Sequence, residues 1–237
     1  MKVAILCGGK GTRLTGVAGG MPKGLIPIGG RPVVWHVMKY FAAFGHLDFV
    51  LLLGYGAGQF VDYFAGKTAP GWTITFVDSG PEASKSQRIM DTEPYLAGDR
   101  FFLSYADDLT DVDLLRVLRR NTASGATVTL TAVRPASPFG LLKTDRAGRV
   151  VEFVEKGPLP SWINGGYMVV RPPVFQHLAR GEFESAVLPF LDRRGEVDVC
   201  RHTGFWMSMN TPKDVQALER IWDAGDPPWR RWSEGES

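Results

Sequence analysis

The chain has 237 residues, 44% of them hydrophobic and 22% charged, which is enough to bury the core of one large domain or two packed ones. Its 27 basic and 25 acidic residues are dispersed, and a formal net charge of +2 gives no reason to expect nucleic acid as a partner. No apolar stretch approaches the roughly 20 residues of a membrane span. Cys7 and Cys200 show no metal or redox spacing. We therefore expect a cytoplasmic protein without a membrane partner.

The first half of the sequence alternates strands with helices. Short apolar runs ended by glycine or polar residues predict strands at 2–7, 49–53, 73–77 and 101–105. Segments with apolar residues at helical spacing predict helices at 32–44, 59–64, 88–96 and 113–120, the first of them opened by Pro32. This alternation predicts an α/β fold with a mostly parallel, Rossmann-like central sheet covered by helices.

The pattern changes after about residue 125, where strand follows strand. Predicted strands lie at 127–133, 140–144, 150–155 and 163–170, and a helix at 212–222 precedes a tail rich in proline and tryptophan. No linker or internal repeat divides the chain. We predict one domain over 1–237 with two halves, 1–124 and 125–237, the second of which contains a smaller β-rich subregion.

A glycine-rich loop follows the first predicted strand. Residues 6–14 read LCGGKGTRL, at the carboxyl end of a strand where open parallel sheets bind ligands. Glycines let the backbone approach a polyphosphate and point N–H groups at it, while Arg13 offers a fork of donors. The third glycine of a dinucleotide fingerprint is missing, and the chain contains no P-loop motif. The loop is either a phosphate site of another class or a plain turn.

The GGKGTRL loop and the following Pro22-Lys23 resemble the sugar-phosphate nucleotidyltransferases. The resemblance narrows to the glucose-1-phosphate cytidylyltransferases through WHVMK at 35–39, FVDSG at 76–80, WINGGY at 162–167, GFW at 204–206 and the tryptophan-rich tail. It implies a GT-A-like nucleotidyltransferase fold with a nucleotide-binding first half and a sugar-binding second half. An oxygen of a sugar 1-phosphate would attack the α-phosphorus of a nucleoside triphosphate, with CTP favoured, to give an NDP-sugar and pyrophosphate. Mg²⁺ would assist.

The resemblance also implies roles for individual residues. Arg13 would hold the triphosphate, Lys23 would bridge the α-phosphate and the sugar phosphate, and Asp107 would bind Mg²⁺, so these three are the implied catalytic residues. The implied nucleotide contacts are Leu6, Gly8, Gly9, Gly11, Thr12, Arg13, Lys23, Gln87, Arg88 and Asp107. The implied sugar contacts are Glu155, Lys156, Asn164 and Gly165. The implied metal ligands are Asp107 and Asn210.

Asn210 is a departure from the family pattern, which has an aspartate there as second metal ligand. An amide oxygen can coordinate Mg²⁺, but it lacks the charge that holds the ion by direct attraction. Asp108 stands beside Asp107 in place of a glycine and could supply that charge. Neighbouring residues in an extended strand point to opposite sides, which argues against such a role, but the segment reads as a loop, so the role of Asp108 stays open.

Other departures concern the phosphate site, the base and subunit contacts. Met21 and Gly24 flank Lys23 where the family has lysine and proline. Ser86 and Gln87 replace glycines before Arg88, and Gly157 replaces a proline. The connection at 64–72 is shorter than in the cytidylyltransferases, whose inserted hairpin contributes to subunit contacts. Whether this chain forms a homo-oligomer is therefore left open.

Two other functions remain open at this stage. The Asp107-Asp108 pair resembles the metal carboxylates of nucleotide-sugar glycosyltransferases, although the GGKGTRL loop weighs against that class. A non-catalytic pseudoenzyme that binds a nucleotide or nucleotide-sugar is favoured by the changes at Met21, Ser86 and Asn210. Release of pyrophosphate separates a nucleotidyltransferase from both alternatives.

Overall fold

A computed structural model describes residues 1–9, 11, 14 and 19–233. The elements of the first half, in chain order, are β1 (Val3–Leu6), a 3-10 turn (Lys23–Leu25), β2 (Pro27–Ile28), β3 (Arg31–Pro32), α1 (Val33–Ala42), β4 (Asp48–Leu53), α2 (Ala57–Phe64), β5 (Thr73–Asp78), α3 (Lys85–Met90), α4 (Glu93–Leu96), β6 (Phe101–Tyr105), β7 (Asp108–Thr110) and α5 (Leu114–Ser124).

The second half contains both strands and helical segments. In chain order they are β8 (Val128–Val133), β9 (Leu141–Thr144), β10 (Val150–Val154), β11 (Ile163–Asn164), β12 (Met168–Val170), a 3-10 segment (Pro172–Arg180), a π-helical turn (Phe183–Val187), α6 (Leu188–Asp192), β13 (Val197–Arg201), β14 (Trp206–Ser208) and α7 (Pro212–Asp223).

One large sheet runs through both halves in the order β11-β8-β12-β6-β1-β4-β5, with β13 also paired to β8. Strand β1 pairs in parallel with β4 and β6, β4 with β5, and β8 with β13, whereas β11 and β12 run antiparallel to their partners. Every residue of β1 is buried, as expected for a strand covered on both faces. The predicted α/β fold with a mostly parallel central sheet is confirmed.

Helices cover both faces of this sheet because its strands carry apolar residues on both sides. Val3 and Ile5 pack into the layer that contains α1, α2, α5 and α7. Ala4 and Leu6 pack into the opposite layer, with α3, α4 and the helical segments between 172 and 192. Together the two layers fix the carboxyl end of β1, from which the glycine-rich loop departs.

The tryptophan-rich tail forms part of the core. Trp222, Trp229 and Trp232 surround the ring of His36 on α1, with ring centroids 4.9 to 6.2 Å away. His36 Nε2 lies 2.8 Å from the carbonyl oxygen of Ile28, and Trp229 donates to His36 Nδ1 at 3.4 Å. Burial lowers the pKa of His36 to about 4, so the neutral ring is favoured.

Two sequence predictions differ from the observed elements. The predicted helix at 88–96 is two short helices, because Pro94 is favoured in a first helical turn and a second helix begins there. The predicted strand at 163–170 is interrupted where Gly166 and Tyr167 adopt positive φ angles of 72° and 49°. The predictions also contained no element at 172–192, where the structure has helical segments that are too short to show a clear period. No helix in the described ranges combines the length and apolar character needed to cross a membrane.

The hairpin of β9 and β10 is a separate two-stranded sheet. Phe139, Val151 and Phe153 in this region are 75%, 64% and 62% exposed. Its base is closed by a bridge between Ala136 and Pro158. The hairpin is the β-rich subregion of the second half, and its two strands pair with each other and not with strands of the large sheet.

Candidate active site

A cavity of about 820 Å³ opens at the carboxyl ends of β1 and β6. It is lined by the described residues of the glycine-rich loop, by Lys23 and Gly24 of the 3-10 turn and by other first-half residues between 81 and 108. The second half contributes Asn164, Glu184, Trp206, Ser208 and Asn210. Nine positions implied by the resemblance line this cavity: Leu6, Gly8, Gly9, Gly11, Lys23, Arg88, Asp107, Asn164 and Asn210. The sequence motifs are thus brought together from distant segments at the sheet edge where ligands bind in α/β folds.

Lys23, Asp107 and Asn210 meet at one point of the cavity wall. The Lys23 ammonium forms an ion pair with Asp107 Oδ2 and donates to Asn210 Oδ1 at 2.9 Å. The side chains of Lys23 and Asp107 are 20% and 17% exposed. A cation held this way is partly desolvated, so it interacts with a bound anion more strongly than a solvated lysine would.

Two neighbouring elements hold Asp107 and Asn210 in place. β7 and β14 pair antiparallel with Asp108 opposite Ser208, and the backbone N–H of Met209 donates to the Asp107 carbonyl at 2.9 Å. Beyond β14, helix α7 begins with a capping box in which Asp214 also accepts from the Asn210 backbone N–H at 2.9 Å. The site therefore depends on a strand pair and a helix start that join both halves of the chain.

Asp108 is buried and forms a hydrogen bond with Ser208. Burial, then the neighbouring charge of Asp107, raises the pKa of Asp108 well above its ordinary value, and a hydrogen bond with Ser208 opposes that shift. Ser208 Oγ also accepts from Asn210 Nδ2 at 2.9 Å. Asp108 thus supports the serine that orients Asn210, while Asp107 faces the ammonium.

Arg88 fills a notch between the glycine-rich loop and the end of β4. Its guanidinium donates to the carbonyl oxygens of Leu53 and Pro81, and a β-carbon on Gly8 or Gly54 would overlap it. Burial lowers the pKa of Arg88 from its ordinary value, while Asp78 and Asp91 oppose the shift. A side chain at position 8 would therefore have to displace this buried guanidinium.

A second polar cluster lines the cavity, and of its members sequence reasoning had identified only Asn164. Tyr105 donates to Glu184 Oε1 at 2.8 Å, Lys85 donates to the same oxygen at 2.5 Å, and Asn164 Nδ2 lies 3.3 Å from the Tyr105 hydroxyl. Burial, then the charge of Glu184, raises the pKa of Tyr105, which keeps its hydroxyl as a donor. Glu184 lies on the π-helical turn, a feature frequent at functional sites.

Four implied positions within the described residues are not among those that line the cavity. Gln87 is exposed and donates to Asp91 at 2.6 Å, and the Gly165 carbonyl accepts from Trp206 Nε1 at 2.9 Å. Glu155 and Lys156 are exposed at the end of β10, and the structure does not bring them to the cavity. Thr12 and Arg13 lie outside the described residues.

The oxygen atoms at Asp107 and Asn210 do not fit a divalent metal ion bound to the free chain. They contribute one carboxylate and one amide, and both side chains contact the Lys23 ammonium. Within the described residues, no group of three or more histidine, cysteine, aspartate or glutamate side chains could hold a metal ion. Mg²⁺ can be bound by one or two carboxylates, but only when substrate phosphates complete its shell.

Comparison with known proteins identifies the class to which this fold and cavity belong. The family model described as nucleotidyl transferase matches residues 2–206. A probable glucose-1-phosphate cytidylyltransferase of Bacillus subtilis is 34% identical over 98% of this chain and 100% of its own length. The glucose-1-phosphate cytidylyltransferase of Salmonella typhimurium is also 34% identical, with the same coverage. The chain belongs to the nucleotidyl transferase family.

Two further comparisons bear on fold and specificity. HddC from Yersinia pseudotuberculosis has the same fold, with a TM-score of 0.74 at 22% identity over 93% of this chain and 99% of that one. Relatives at 31% identity or less are named guanylyl-, thymidylyl- and uridylyltransferases of sugar 1-phosphates. Sugar-1-phosphate nucleotidyl transfer is thus the shared activity of these relatives, whereas the base differs among them.

Proposed function

We propose that this chain joins a nucleoside triphosphate, with CTP favoured, to a sugar 1-phosphate and releases pyrophosphate. The observation that carries the proposal is the single cavity in which the glycine-rich loop, Lys23 and Asp107 meet Asn164 of the second half. A cavity of about 820 Å³ can enclose two small substrates, since ligand sites range over roughly 300 to 1,000 Å³.

The reaction needs positioning and charge neutralisation more than covalent chemistry. A phosphate oxygen of the sugar 1-phosphate attacks the α-phosphorus, the new phosphorus–oxygen bond forms, and the bond to the β-phosphate oxygen breaks as pyrophosphate leaves. The Lys23 ammonium, which lines the cavity, is proposed to approach both phosphates and offset their repulsion. Backbone N–H groups around Gly8 and Gly9, and Arg13 beyond them, are proposed to hold the triphosphate.

The preference for CTP rests on the relatives, and Arg88 adds only an argument for a pyrimidine base. Both cytidylyltransferases match almost the whole chain at 34% identity, above the relatives named for other bases. Arg88 presents a guanidinium beside the loop, where donors could pair with the carbonyl oxygen of a pyrimidine. Its two carbonyl partners fix the orientation of those donors.

The sugar end is proposed to be the cluster around Asn164, Tyr105 and Glu184. Its hydroxyl, amide and carboxylate groups match the donors and acceptors of a sugar ring. Glu155 and Lys156 remain proposed sugar contacts on the resemblance alone. Magnesium enters the proposal as the counter-ion of the triphosphate, because the part of the chain that the structure describes contains no group of three or more histidine, cysteine, aspartate or glutamate side chains to hold it.

A substrate matrix tests this function. Purified protein is mixed with CTP, UTP, GTP, ATP or dTTP and one of several sugar 1-phosphates in the presence of Mg²⁺, and pyrophosphate release and product mass are measured. We expect an NDP-sugar and an equal amount of pyrophosphate, with CTP fastest. Turnover with another base alone would refute the CTP preference and leave the reaction class standing.

Complete absence of pyrophosphate release would favour the pseudoenzyme. Lys23 contacts one carboxylate, that of Asp107, whereas the family pattern has a second aspartate at position 210. The missing carboxylate supports the pseudoenzyme. Calorimetric titration with the same triphosphates and NDP-sugars would then decide between a binding protein and no nucleotide function at all.

A further inference from the structure

The Lys23 ammonium lies between the two side chains that the family pattern gives to a metal ion. It forms an ion pair with Asp107 Oδ2 and donates to Asn210 Oδ1 at 2.9 Å. Lys23 comes from the 3-10 turn after the glycine-rich loop, whereas Asp107 and Asn210 flank the β7 and β14 pair. One cation thus links three separate segments at the mouth of the cavity.

The orientation of Asn210 makes its oxygen available to a cation. Its Nδ2 donates to Ser208 Oγ at 2.9 Å, so the opposite atom of the amide, Oδ1, faces Lys23. Its backbone N–H is held by Asp214 at 2.9 Å. An amide fixed in this way accepts a hydrogen bond from an ammonium but adds no negative charge.

The charges at this point are balanced by the chain itself. Asp107 contributes one negative charge, Lys23 one positive charge, and Asn210 none. Asp108, the other nearby carboxyl, is buried and hydrogen-bonded with Ser208. A dication approaching Asp107 would meet a like charge at contact distance, which is strongly unfavourable in a partly desolvated site.

We propose that Lys23 is the resident cation of this site in the free protein, and that a divalent metal ion binds only together with a polyphosphate. The phosphates would bring negative charge for both cations, Lys23 would donate to a phosphate oxygen instead of pairing with Asp107, and Asp107 would then be free to hold the metal ion. The inference rests on the proposed function for the identity of the polyphosphate. Its first half, exclusion of the metal by Lys23, depends only on the geometry of the free chain.

The test measures Mn²⁺ binding to the full chain without nucleotide, by electron paramagnetic resonance of the free ion. Wild-type protein should show no saturable binding at millimolar Mn²⁺. Lys23→Met removes the charge but keeps much of the aliphatic stem, so it should bind Mn²⁺ at least about tenfold more tightly, or about 1.4 kcal/mol. Lys85→Met is the matched control, because Lys85 lines the same cavity but pairs with Glu184. It should bind no better than wild type.

Asn210→Asp supplies an independent second variant. It adds a hard carboxylate ligand, so it should also tighten Mn²⁺ binding relative to wild type. The melting curve of Lys23→Met shows whether that variant is folded. If Asn210→Asp binds Mn²⁺ more tightly than wild type and a folded Lys23→Met does not, the proposal is overturned. The site would then lack negative charge, but Lys23 would not compete with the metal ion for it. Saturable Mn²⁺ binding to wild type as tight as to Lys23→Met would overturn it as well.

Addition of a non-hydrolysable CTP analogue tests the second half of the proposal. Wild-type protein should then bind Mn²⁺ saturably. If wild type binds the analogue but no Mn²⁺, the metal ion does not bind together with the polyphosphate, and the second half of the proposal is wrong. Failure of the proposed function appears differently, as no nucleotide binding in calorimetry and no turnover in the substrate matrix. The comparison of wild type with Lys23→Met in metal alone decides the first half in either case.

Discussion

At the scale of single residues, the cavity is held together by side chains that each have two partners. Lys23 contacts Asp107 and Asn210, Ser208 links Asn210 to Asp108, and Glu184 accepts from both Lys85 and Tyr105. Groups fixed in this manner are already oriented before a substrate arrives, which is what electrostatic stabilisation of a transition state requires. Substitution of one member is therefore expected to change activity more than stability.

Lys23→Ala provides the direct test at this scale. It removes the charge that is proposed to approach both phosphates, so we expect turnover in the substrate matrix to fall by a factor on the order of 10² or more. Lys67→Ala is the control, since Lys67 lies over the Tyr63 ring, outside the cavity lining. Equal turnover in Lys23→Ala and wild type would show that Lys23 has no catalytic role.

Sequence motifs led to Lys23, Asp107 and Asn210 because each stands in a short, ordered segment of the family pattern. They did not lead to Tyr105 and Glu184, which are 79 positions apart and meet only through the sheet and a π-helical turn. Nor did they reveal that a side chain at position 8 would meet the Arg88 guanidinium, since this is a tertiary contact. Motif spacing reports local geometry, whereas such pairs depend on topology.

At the scale of elements, long apolar strands and amphipathic helices were predictable and short irregular segments were not. β6 was predicted at its observed bounds and α7 within one residue at its end, because burial enforces their periodicity. The helical turns between 172 and 192 lack a long period, and their hydrogen bonds follow 3-10 and π patterns. The contact between the tryptophan-rich tail and α1 could not be predicted from the sequence either.

That contact gives a pH dependence of stability. Burial depresses the pKa of His36 to about 4, below the ordinary 6.5, so the unfolded chain binds the extra proton more readily between these values. Stability from the neutral ring is present above about pH 6.5 and is lost as the pH falls toward 4. We expect this residue to cost about 2 kcal/mol of unfolding free energy between pH 7 and pH 5.

Urea denaturation at pH 7 and pH 5 measures this cost. His36→Gln should lose less stability over the interval than wild type, because the group that must be protonated is gone. His177→Gln, which leaves His36 in place, should keep the wild-type dependence. His46 is buried, with a pKa also lowered to about 4, and contributes equally in all three proteins, so the difference between variants isolates His36.

At the scale of the whole molecule, one sheet unites the two halves that the sequence pattern separates at residue 124. β6 of the first half lies between β1 and β12, and β12 in turn pairs with β8. Tyr167, just before β12, packs against Tyr40 and Phe41 of α1 with ring centroids 5.9 and 5.3 Å away. The halves share a core, so we expect the chain to unfold in one cooperative step.

Two altered chains test this expectation against each other. A chain limited to 1–124 would expose the edge of β6 and lose the ring contacts of Tyr167, so it should show no cooperative thermal transition by calorimetry. Replacement of 139–156 by a short Gly-Ser linker removes an exposed hairpin whose base, Ala136 to Pro158, is already closed. That variant should keep one transition, shifted by no more than about 4 °C. A cooperative 1–124 chain, or a hairpin variant that fails to fold, would show that the shared sheet is not the unit of stability.

The hairpin variant also lacks Glu155 and Lys156. If these residues bind the sugar as the resemblance implies, its KM for the sugar 1-phosphate should rise while its KM for the triphosphate stays unchanged.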